Sequence, residues 1–360
     1  MASSYDPKPL RAPMKPSPIA DYSNLSLIGQ QMVYAHPRAA CLVSTSSIHV
    51  GTHVDVRKAE PSPLEIVRSV RALPHGTSGY IVMSTASGIQ VWDQSCARQL
   101  FQWMLPEVKK VIQGESLQGE MAGVHNGVGE VYAPFVRGAA LCLARNGSTN
   151  LCFGSSSGTL YVSEVDQSGR IQEPTPFFGH SSPITCMSTE YQSHHGRHIA
   201  DKSPGSHLLA SADEAGNISV WLAVSGDEYK VLSSIPSASI PATSLAIRHD
   251  CLIAARLNGI IQVYGLKDSK LRAEIVAHSR WLTCMDIHPT KDIIVSGAED
   301  GTINMWTLPI HNHKVTNLLS VTWMHAAVTG VTFCGSTFDD LAAVAYDTDE
   351  LRVYKPLLPT

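Results

Sequence analysis

Four histidines lie close together in the sequence and form the strongest candidate for a metal site. His194, His195, His198 and His207 fall within fourteen positions, and imidazoles at this spacing could converge on one zinc ion. No cysteine or acidic residue completes the group neatly, and the surrounding residues include Gly, Ser and Lys. We therefore favour a solvated loop over a metal site, and we predict no metal and no cofactor.

Other arrangements that could do chemistry are missing or have the wrong spacing. The sequence contains no phosphate-binding P-loop. The stretch GVHNGVGEV at residues 123–131 is rich in glycine but lacks the spacing of a dinucleotide fingerprint. A flexible connecting loop is the simpler interpretation, and the sequence predicts a protein that is not an enzyme.

Charge and hydropathy exclude several classes of partner. The 360 residues carry a net charge of -4, and no run of Lys or Arg exceeds two, so the chain lacks the basic stripe that neutralises several phosphates of a nucleic acid. No stretch approaches the roughly 18 apolar residues that span a membrane, and the N-terminus lacks the apolar centre of a secretory signal. We expect a cytoplasmic protein with no nucleic-acid, membrane or small-molecule partner.

The first twenty residues differ in composition from the rest. Five prolines occur between Pro7 and Pro18, and proline can neither donate a ladder hydrogen bond nor continue a helix. The sequence predicts a disordered tail over residues 1–20, followed by a single domain over residues 21–360.

A repeated unit of short apolar runs and turns organises this domain. Its best copy, HSRWLTCMDIHPTKDIIVSGAEDGTINMW, contains three predicted strands and a tight Asp-Gly turn. The terminal aromatics from Trp221 to Tyr264, Trp306 and Tyr354 are 43, 42 and 48 residues apart, close to the roughly 40–45 residues of a four-stranded propeller blade. Six such units and a weaker one at residues 32–54 predict seven blades, with surface insertions near 104–136 and 190–206.

The patterns GH…SADEAGNISVW and AH…SGAEDGTINMW resemble the blades of WD-repeat β-propellers. The resemblance implies an all-β, seven-bladed WD-repeat propeller in which a His, a Ser or Thr, an Asp and a Trp form a hydrogen-bonded set within a blade. In blade six this set would be His278, Ser296, Asp300 and Trp306. In blade four it would be His180, Ser211 and Trp221, with Ala215 where the Asp is expected.

The two ends of the chain are expected to meet in blade seven, for which the resemblance implies His325 and Tyr354. The chain stops after the third strand of this blade, so a fourth strand must come from elsewhere. We predict that residues 25–28 near the N-terminus supply it, because joining the first and last blades in this way hides both sheet edges.

Partners of WD-repeat propellers commonly bind a top surface, and the resemblance places certain residues of this chain there. These candidate protein-binding residues are Arg280, Trp281 and Glu299 in blade six and Ser182, Pro183 and Glu214 in blade four. Arg and Trp are types that often anchor interfaces. The alternative for Trp281 is that it packs beneath its neighbour.

Three functions are compatible with these observations. The favoured one is a scaffold that holds other proteins in an assembly, with a ciliary or cytoskeletal assembly as one setting. The second is a reader of peptides or modified tails that uses Trp281 and Glu299. The third is an enzyme or small-molecule binder in the central channel, which is disfavoured because the predicted inner runs TSLAIR, WLTCMDI and AVTGVTF are mostly apolar or hydroxylic, with Asp286 as their lone acid.

Overall fold

The computed structural model describes residues 5–19, 22–45, 57–59, 66–75, 78–106, 108, 134–190, 207–236, 239–310 and 314–356. These residues form 28 β-strands in seven antiparallel sheets of four strands each. Most of the two predicted insertions, residues 109–133 and 191–206, lies outside the described residues.

Each sheet is one blade, and the strands follow one another from the innermost to the outermost position. The N-terminal strand is β1 (Leu10–Pro13), and blade one contains β2 (Ser26–Ile28), β3 (Gln31–His36), β4 (Ala39–Ser44) and β5 (Arg57–Ala59). Blade two contains β6 (Val67–His75), β7 (Ser78–Thr85), β8 (Gly88–Asp93) and β9 (Gln99–Met104). Blade three contains β10 (Val136–Leu143), β11 (Thr149–Ser155), β12 (Thr159–Val165) and β13 (Thr175–Phe178).

Blades four to seven repeat this order. Blade four contains β14 (Ile184–Thr189), β15 (Leu208–Asp213), β16 (Ile218–Ala223) and β17 (Tyr229–Ile235). Blade five contains β18 (Ala242–Arg248), β19 (Cys251–Arg256), β20 (Ile260–Gly265) and β21 (Leu271–Val276). Blade six contains β22 (Leu282–Ile287), β23 (Ile293–Ala298), β24 (Thr302–Thr307) and β25 (Asn317–Thr322), and blade seven contains β26 (Val328–Cys334), β27 (Asp340–Ala345) and β28 (Glu350–Tyr354).

Burial along the strands follows their position in the blade. Every residue of the inner strand β18 is buried, whereas the outer strand β21 has one buried residue, Ile275. An inner strand is covered on both faces by neighbouring blades, so its sequence is mainly apolar or hydroxylic, although β18 ends in the buried Arg248. The predicted inner runs lie on β18, β22 and β26, and the prediction of an all-β, seven-bladed propeller is confirmed.

Ring closure uses an N-terminal strand, but not the predicted one. The outermost strand of blade seven is β1, whose Leu10 pairs with Val353 of β28. Residues 25–28 contribute instead to β2, the innermost strand of blade one, so the prediction that they complete blade seven is wrong. An outermost strand needs ladder partners on one side only, which is why Pro13 is tolerated at its end.

The segment expected to be a disordered tail therefore contains an ordered strand. Ala12 and Met14 are buried in the apolar core between blades seven and one, where Leu351 and Val353 also lie. The prediction of disorder considered only the prolines. The alternate residues Ala12 and Met14 are small or apolar, and their burial is enough to hold the outer strand in place. Within the described residues, no helix has the length and apolar character required to cross a membrane.

Candidate functional site

The candidate residues lie at one end of the propeller, here called the top face. It consists of the loops that lead from the outermost strand of one blade to the innermost strand of the next, together with the turns between the second and third strands. In blade six these are the loop around Arg280 and the turn around Asp300. In blade four they are the loop around Ser182 and the turn around Ala215.

Blade four contains a complete chain of hydrogen bonds through its buried polar residues. The indole Nε1 of Trp221 donates to Ser211 Oγ at 2.8 Å, and Ser211 Oγ lies 2.7 Å from His180 Nε2. His180 Nδ1 lies 3.1 Å from Asp213 Oδ2. A carboxylate only accepts, so Nδ1 carries the proton and Nε2 accepts from the serine. Each member of the chain satisfies the next, which stabilises the blade.

Asp213 is the acid of this set, and sequence reasoning missed it. Ala215 does occupy the expected position, but Asp213 takes over its role from the end of β15. Burial alone would raise the pKa of Asp213, but hydrogen bonds from His180 and Asn217 outweigh burial and lower this pKa below its ordinary value. The available signal was the spacing of Ser211 and Asp213, since residues two apart on a strand share a face.

Blade six has the predicted residues but not the predicted chain. His278 Nε2 lies 2.8 Å from Ser296 Oγ, and His278 Nδ1 lies 2.8 Å from Thr302 Oγ1. Thr302 in turn bonds to Asp300 through its backbone N–H at 2.8 Å and through its hydroxyl. Trp306 Nε1 is buried and has no hydrogen-bond partner among the described residues. The predicted link from Ser296 to Trp306 is therefore absent, and Thr302 is a member that the sequence did not predict.

The surroundings of His278 and Asp300 in blade six shift the pKa values of both residues. Burial lowers the pKa of His278, which favours the neutral ring. Burial would raise the pKa of Asp300, but the two hydrogen bonds from Thr302 outweigh it and lower this pKa. Asp300 also accepts from the backbone N–H of Ser279 at 3.1 Å, so its carboxylate ties the turn to the loop that precedes β22.

The candidate binding residues of blade six are exposed. Arg280, Trp281 and Glu299 all face solvent, and the Trp281 side chain is 60% exposed. The alternative that Trp281 packs beneath its neighbour is wrong, because the residue stands just outside the strand that would have buried it. Its carbonyl oxygen accepts from the backbone N–H of Glu299 at 2.9 Å, so loop and turn are held side by side.

Two more large apolar side chains extend this exposed region toward blade seven. Met324 is 69% exposed and Tyr346 is 44% exposed. Backbone hydrogen bonds link the segments that carry these side chains to the turn of blade six. Trp323 N–H donates to Gly301 O at 2.7 Å, and Tyr346 N–H donates to Ala327 O at 2.8 Å. We call Trp281, Met324 and Tyr346 the top-face patch. Sequence reasoning found only its first member.

The corresponding residues of blade four are less available. Ser182 and Pro183 are half-buried. Glu214 is exposed, but its carboxylate lies 3.3 Å from the guanidinium Nη1 of Arg137 in blade three. The prediction that these three residues bind a partner has less support from their surroundings than the same prediction for blade six.

The remaining histidine predictions have different outcomes. His325, expected to hold blade seven together, is an exposed turn residue with a φ of 60°. His194, His195 and His198 lie outside the described residues, whereas His207 Nδ1 lies 2.9 Å from the carbonyl oxygen of Leu143. Among the described residues, no group of three or more His, Cys, Asp or Glu side chains has the arrangement of a metal site.

The central channel encloses a cavity of about 80 Å³. Asp286, the predicted lone acid of the inner strands, lines it, but its Oδ2 accepts from Thr332 Oγ1 and from Phe333 N–H, both at 2.9 Å. The carboxylate thus joins blades six and seven. Arg71 of β6 also lines the cavity and was not predicted. This arrangement provides no nucleophile activated by a base.

Comparisons with known proteins also indicate a WD-repeat propeller. The WDR54 family profile matches residues 122–357. WD repeat-containing protein 54 of Mus musculus is 28% identical over 228 residues, which cover 61% of this chain and 63% of the mouse protein. The Homo sapiens protein of the same description is 27% identical over 229 residues, which cover 62% of this chain and 64% of the human protein. The matched region thus spans less than two thirds of these relatives.

A solved structure shares the fold across the whole chain. A chain in a crystal structure of a mitotic checkpoint complex superposes with a TM-score of 0.69 at 14% identity, covering 100% of this chain and 98% of the other. At that identity the match shows the fold alone. The segments SNLSLIG, SGIQVW, LNGIIQVYG, AHSRWLTCMDI and FCGSTFDDLAAVAYDTDELRVY predict a relationship to WD repeat-containing protein 54. The comparisons confirm this relationship, and the family profile covers the last three of these segments. The chain belongs to the WDR54 family of WD-repeat propellers.

Proposed function

We propose that this protein is a non-catalytic scaffold that holds other proteins in an assembly, and that the top-face patch is its principal docking surface. The observation that carries the proposal is the exposure of Trp281, Met324 and Tyr346 on adjoining segments. Clustered large apolar side chains at a surface mark interaction sites, because their burial against a partner releases ordered water.

The charged neighbours of the patch give it the composition of an interface. Arg280 and Glu299 flank Trp281 and are both exposed. Trp and Arg are enriched among the residues that contribute most to binding, and flanking charges orient a partner and exclude wrong ones. A rigid blade supports these side chains, since the turn and loop that carry them are joined by backbone hydrogen bonds.

The two alternatives receive less support. A reader of modified tails needs an aromatic cage, and no aromatic ring among the described residues pairs with Trp281. A channel enzyme needs a reactive group, whereas Asp286 is engaged by Thr332 and Phe333. The solved propeller of the same fold is part of a multiprotein checkpoint complex, which supports assembly as a use of this architecture by analogy.

We also propose the cytoplasm as the setting, with protein subunits of a ciliary or cytoskeletal assembly as partners. All eight cysteines are free and buried, which is typical of proteins from a reducing compartment.

The test is a double substitution of Trp281, a member of the patch, and its neighbour Arg280. We expect Arg280→Ala with Trp281→Ala to leave the melting temperature nearly unchanged and to remove at least one native partner, because both side chains project into solvent. The measurement is quantitative mass spectrometry of proteins that co-purify with the full chain from native cells. The matched control is Lys230→Ala with Val231→Ala, which removes an exposed cation and an exposed apolar residue on the outer strand β17.

Retention of every partner by the Arg280 and Trp281 variant would contradict the proposal. Loss of the same partners by the β17 control would show that the effect is not specific to the top face.

A further inference from the structure

The top mouth of the central channel is covered by a turn of the N-terminal segment. Ser23, Asn24 and Leu25 are each at most 4% exposed, and Leu25 lines the channel cavity. We call residues 22–25 the channel-mouth turn. It lies between β1 and β2, outside any sheet.

Backbone hydrogen bonds fix this turn to the inner strands of two blades. Ser23 N–H donates to the carbonyl oxygen of Thr283 in blade six at 3.0 Å. Asn24 N–H donates to the carbonyl oxygen of Thr329 in blade seven at 2.7 Å. Peptide ligands are commonly held through main-chain bonds of this kind, which do not depend on the side chain of the bound residue.

Contacts with side chains of three further blades add to these bonds. Arg71 of blade two donates from Nη1 to the carbonyl oxygen of Ser23 at 3.1 Å. Ser23 Oγ lies 3.5 Å from Ser244 Oγ in blade five. The guanidinium carbon of Arg137 in blade three lies 5.8 Å from the centre of the Tyr22 ring. Asn24 Oδ1 also accepts from the backbone N–H of Ala35 in blade one at 2.7 Å, so the turn touches six of the seven blades.

One glycine of the channel wall is shaped for this turn. A Cβ added to Gly330 of β26 would lie 2.6 Å from Leu25 Cβ and 2.7 Å from both Asn24 C and Leu25 N. These three nearest atoms all belong to the turn, so a side chain at residue 330 would collide with the turn. Gly330 therefore acts as a recognition position in the wall of the mouth.

The backbone of the turn is itself strained. Ser23 adopts a φ of 55°, and a residue other than glycine keeps this left-handed conformation only where surrounding contacts hold it.

We propose that the channel mouth is a peptide-recognition site whose occupant in cis is the channel-mouth turn. A partner segment of the same chemistry, an aromatic residue followed by Ser-Asn-Leu in a tight turn, enters only when the N-terminal turn leaves. This site is separate from the top-face patch, and neither proposal depends on the other.

The main experiment supplies the occupant in trans. A fluorescein-labelled peptide of residues 20–25, ADYSNL, is titrated by anisotropy against the wild-type chain and against a chain carrying Tyr22→Gly, Ser23→Gly and Asn24→Gly. We expect the triple variant to bind at least about tenfold more tightly, because a site that is mostly occupied loses apparent affinity in proportion to its free fraction. Adding Gly330→Ala to the triple variant should abolish the gain.

Controls separate recognition from unfolding. A scrambled peptide should not bind, and melting temperatures must show that each variant remains folded. Equal binding by the wild type and the triple variant would overturn the proposal, because the peptide would then bind elsewhere. Absence of binding by a folded triple variant would also overturn it, because the turn would then be a structural link only.

A second measurement does not depend on the triple variant. Ser23→Cys places a thiol in the turn, while the eight native cysteines are buried. We expect a bulky maleimide to label this thiol at least about tenfold faster when Gly330→Ala is also present. The added methyl group displaces the turn from the mouth, so the thiol is exposed in a larger fraction of the molecules. An unchanged labelling rate would contradict the assignment of Gly330 as a recognition position.

Discussion

Blades four and six contain the same histidine, serine and tryptophan at matching positions, yet only blade four joins them into one chain of hydrogen bonds. The difference lies in where the acid stands. Asp213 is two residues after Ser211 and shares its face of β15, so it reaches His180 in the interior. Asp300 is four residues after Ser296, beyond the end of β23, and reaches its histidine mainly through Thr302.

The comparison extends to the surface above each network. In blade four the acidic turn residue Glu214 is paired with Arg137 of the neighbouring blade. In blade six Trp281 and Glu299 remain open to solvent. Blade four, whose buried polar residues form one hydrogen-bonded chain, thus has an ion-paired glutamate at its top face. Blade six, whose chain is incomplete, has exposed candidate binding residues there.

The largest expected effect is that of removing Asp213, the acid of the hydrogen-bonded chain in blade four. Asp213→Ala leaves His180 Nδ1 and the Asn217 side chain without their acceptor in a buried site. We expect a loss of roughly 3 kcal/mol in unfolding free energy, measured by urea denaturation. Asp300→Ala is the matched variant and should cost about 1 kcal/mol, because its carboxylate is only partly buried. Equal losses would break the contrast between the blades.

Substitution of the two tryptophans sharpens the same contrast. Trp221→Phe removes a hydrogen bond to Ser211 and should cost about 1–2 kcal/mol beyond the loss of packing. Trp306→Phe removes a buried N–H that has no partner among the described residues, so only the packing term remains. The two variants are compared by denaturation under identical conditions. A greater loss for Trp306→Phe would show that its indole N–H is satisfied in solution.

Acid should weaken blade six through His278. Burial lowers the pKa of this ring in the folded state, whereas the unfolded value is about 6.5. Below about pH 6.5 the unfolded chain therefore binds a proton that the folded chain does not. The free energy of unfolding then decreases as the pH is lowered. Between about pH 7.5 and about pH 5.5, His278→Asn should show a smaller fall than the wild type, by up to about 1 kcal/mol. Identical pH dependence would indicate that His278 is not the group responsible.

The sequence was sufficient for the fold because its signals are periodic. Terminal aromatics such as Trp221, Tyr264 and Trp306 recur at blade spacing, and each marks a third strand that the structure contains. Such a period survives the degeneration of individual motifs, since every blade must bury the same kind of inner strand against its neighbours.

Details that depend on tertiary contacts could not be predicted in the same way. The identity of Trp306 is visible in the sequence, but whether its indole reaches Ser296 depends on how the side chain packs between blades. Arg71 was missed because blade two lacks the histidine that marks other blades. The patch members Met324 and Tyr346 come to lie on the same face as Trp281 only after the blades are assembled, which no local pattern encodes.

The closing strand β1 has a consequence for how the protein is made. Leu10 leaves the ribosome long before Val353, its partner in β28, so β1 must wait until the strands of blade seven have been synthesised. Pairing between such distant segments is slow because the intervening chain loses conformational entropy on closure. During this interval the chain resembles an open arc of blades with unpaired outer edges, a species prone to association with other chains. Completion of blade seven is therefore the step at which a nascent chain becomes a closed ring, and β1, although synthesised before all seven blades, is among the last strands to pair.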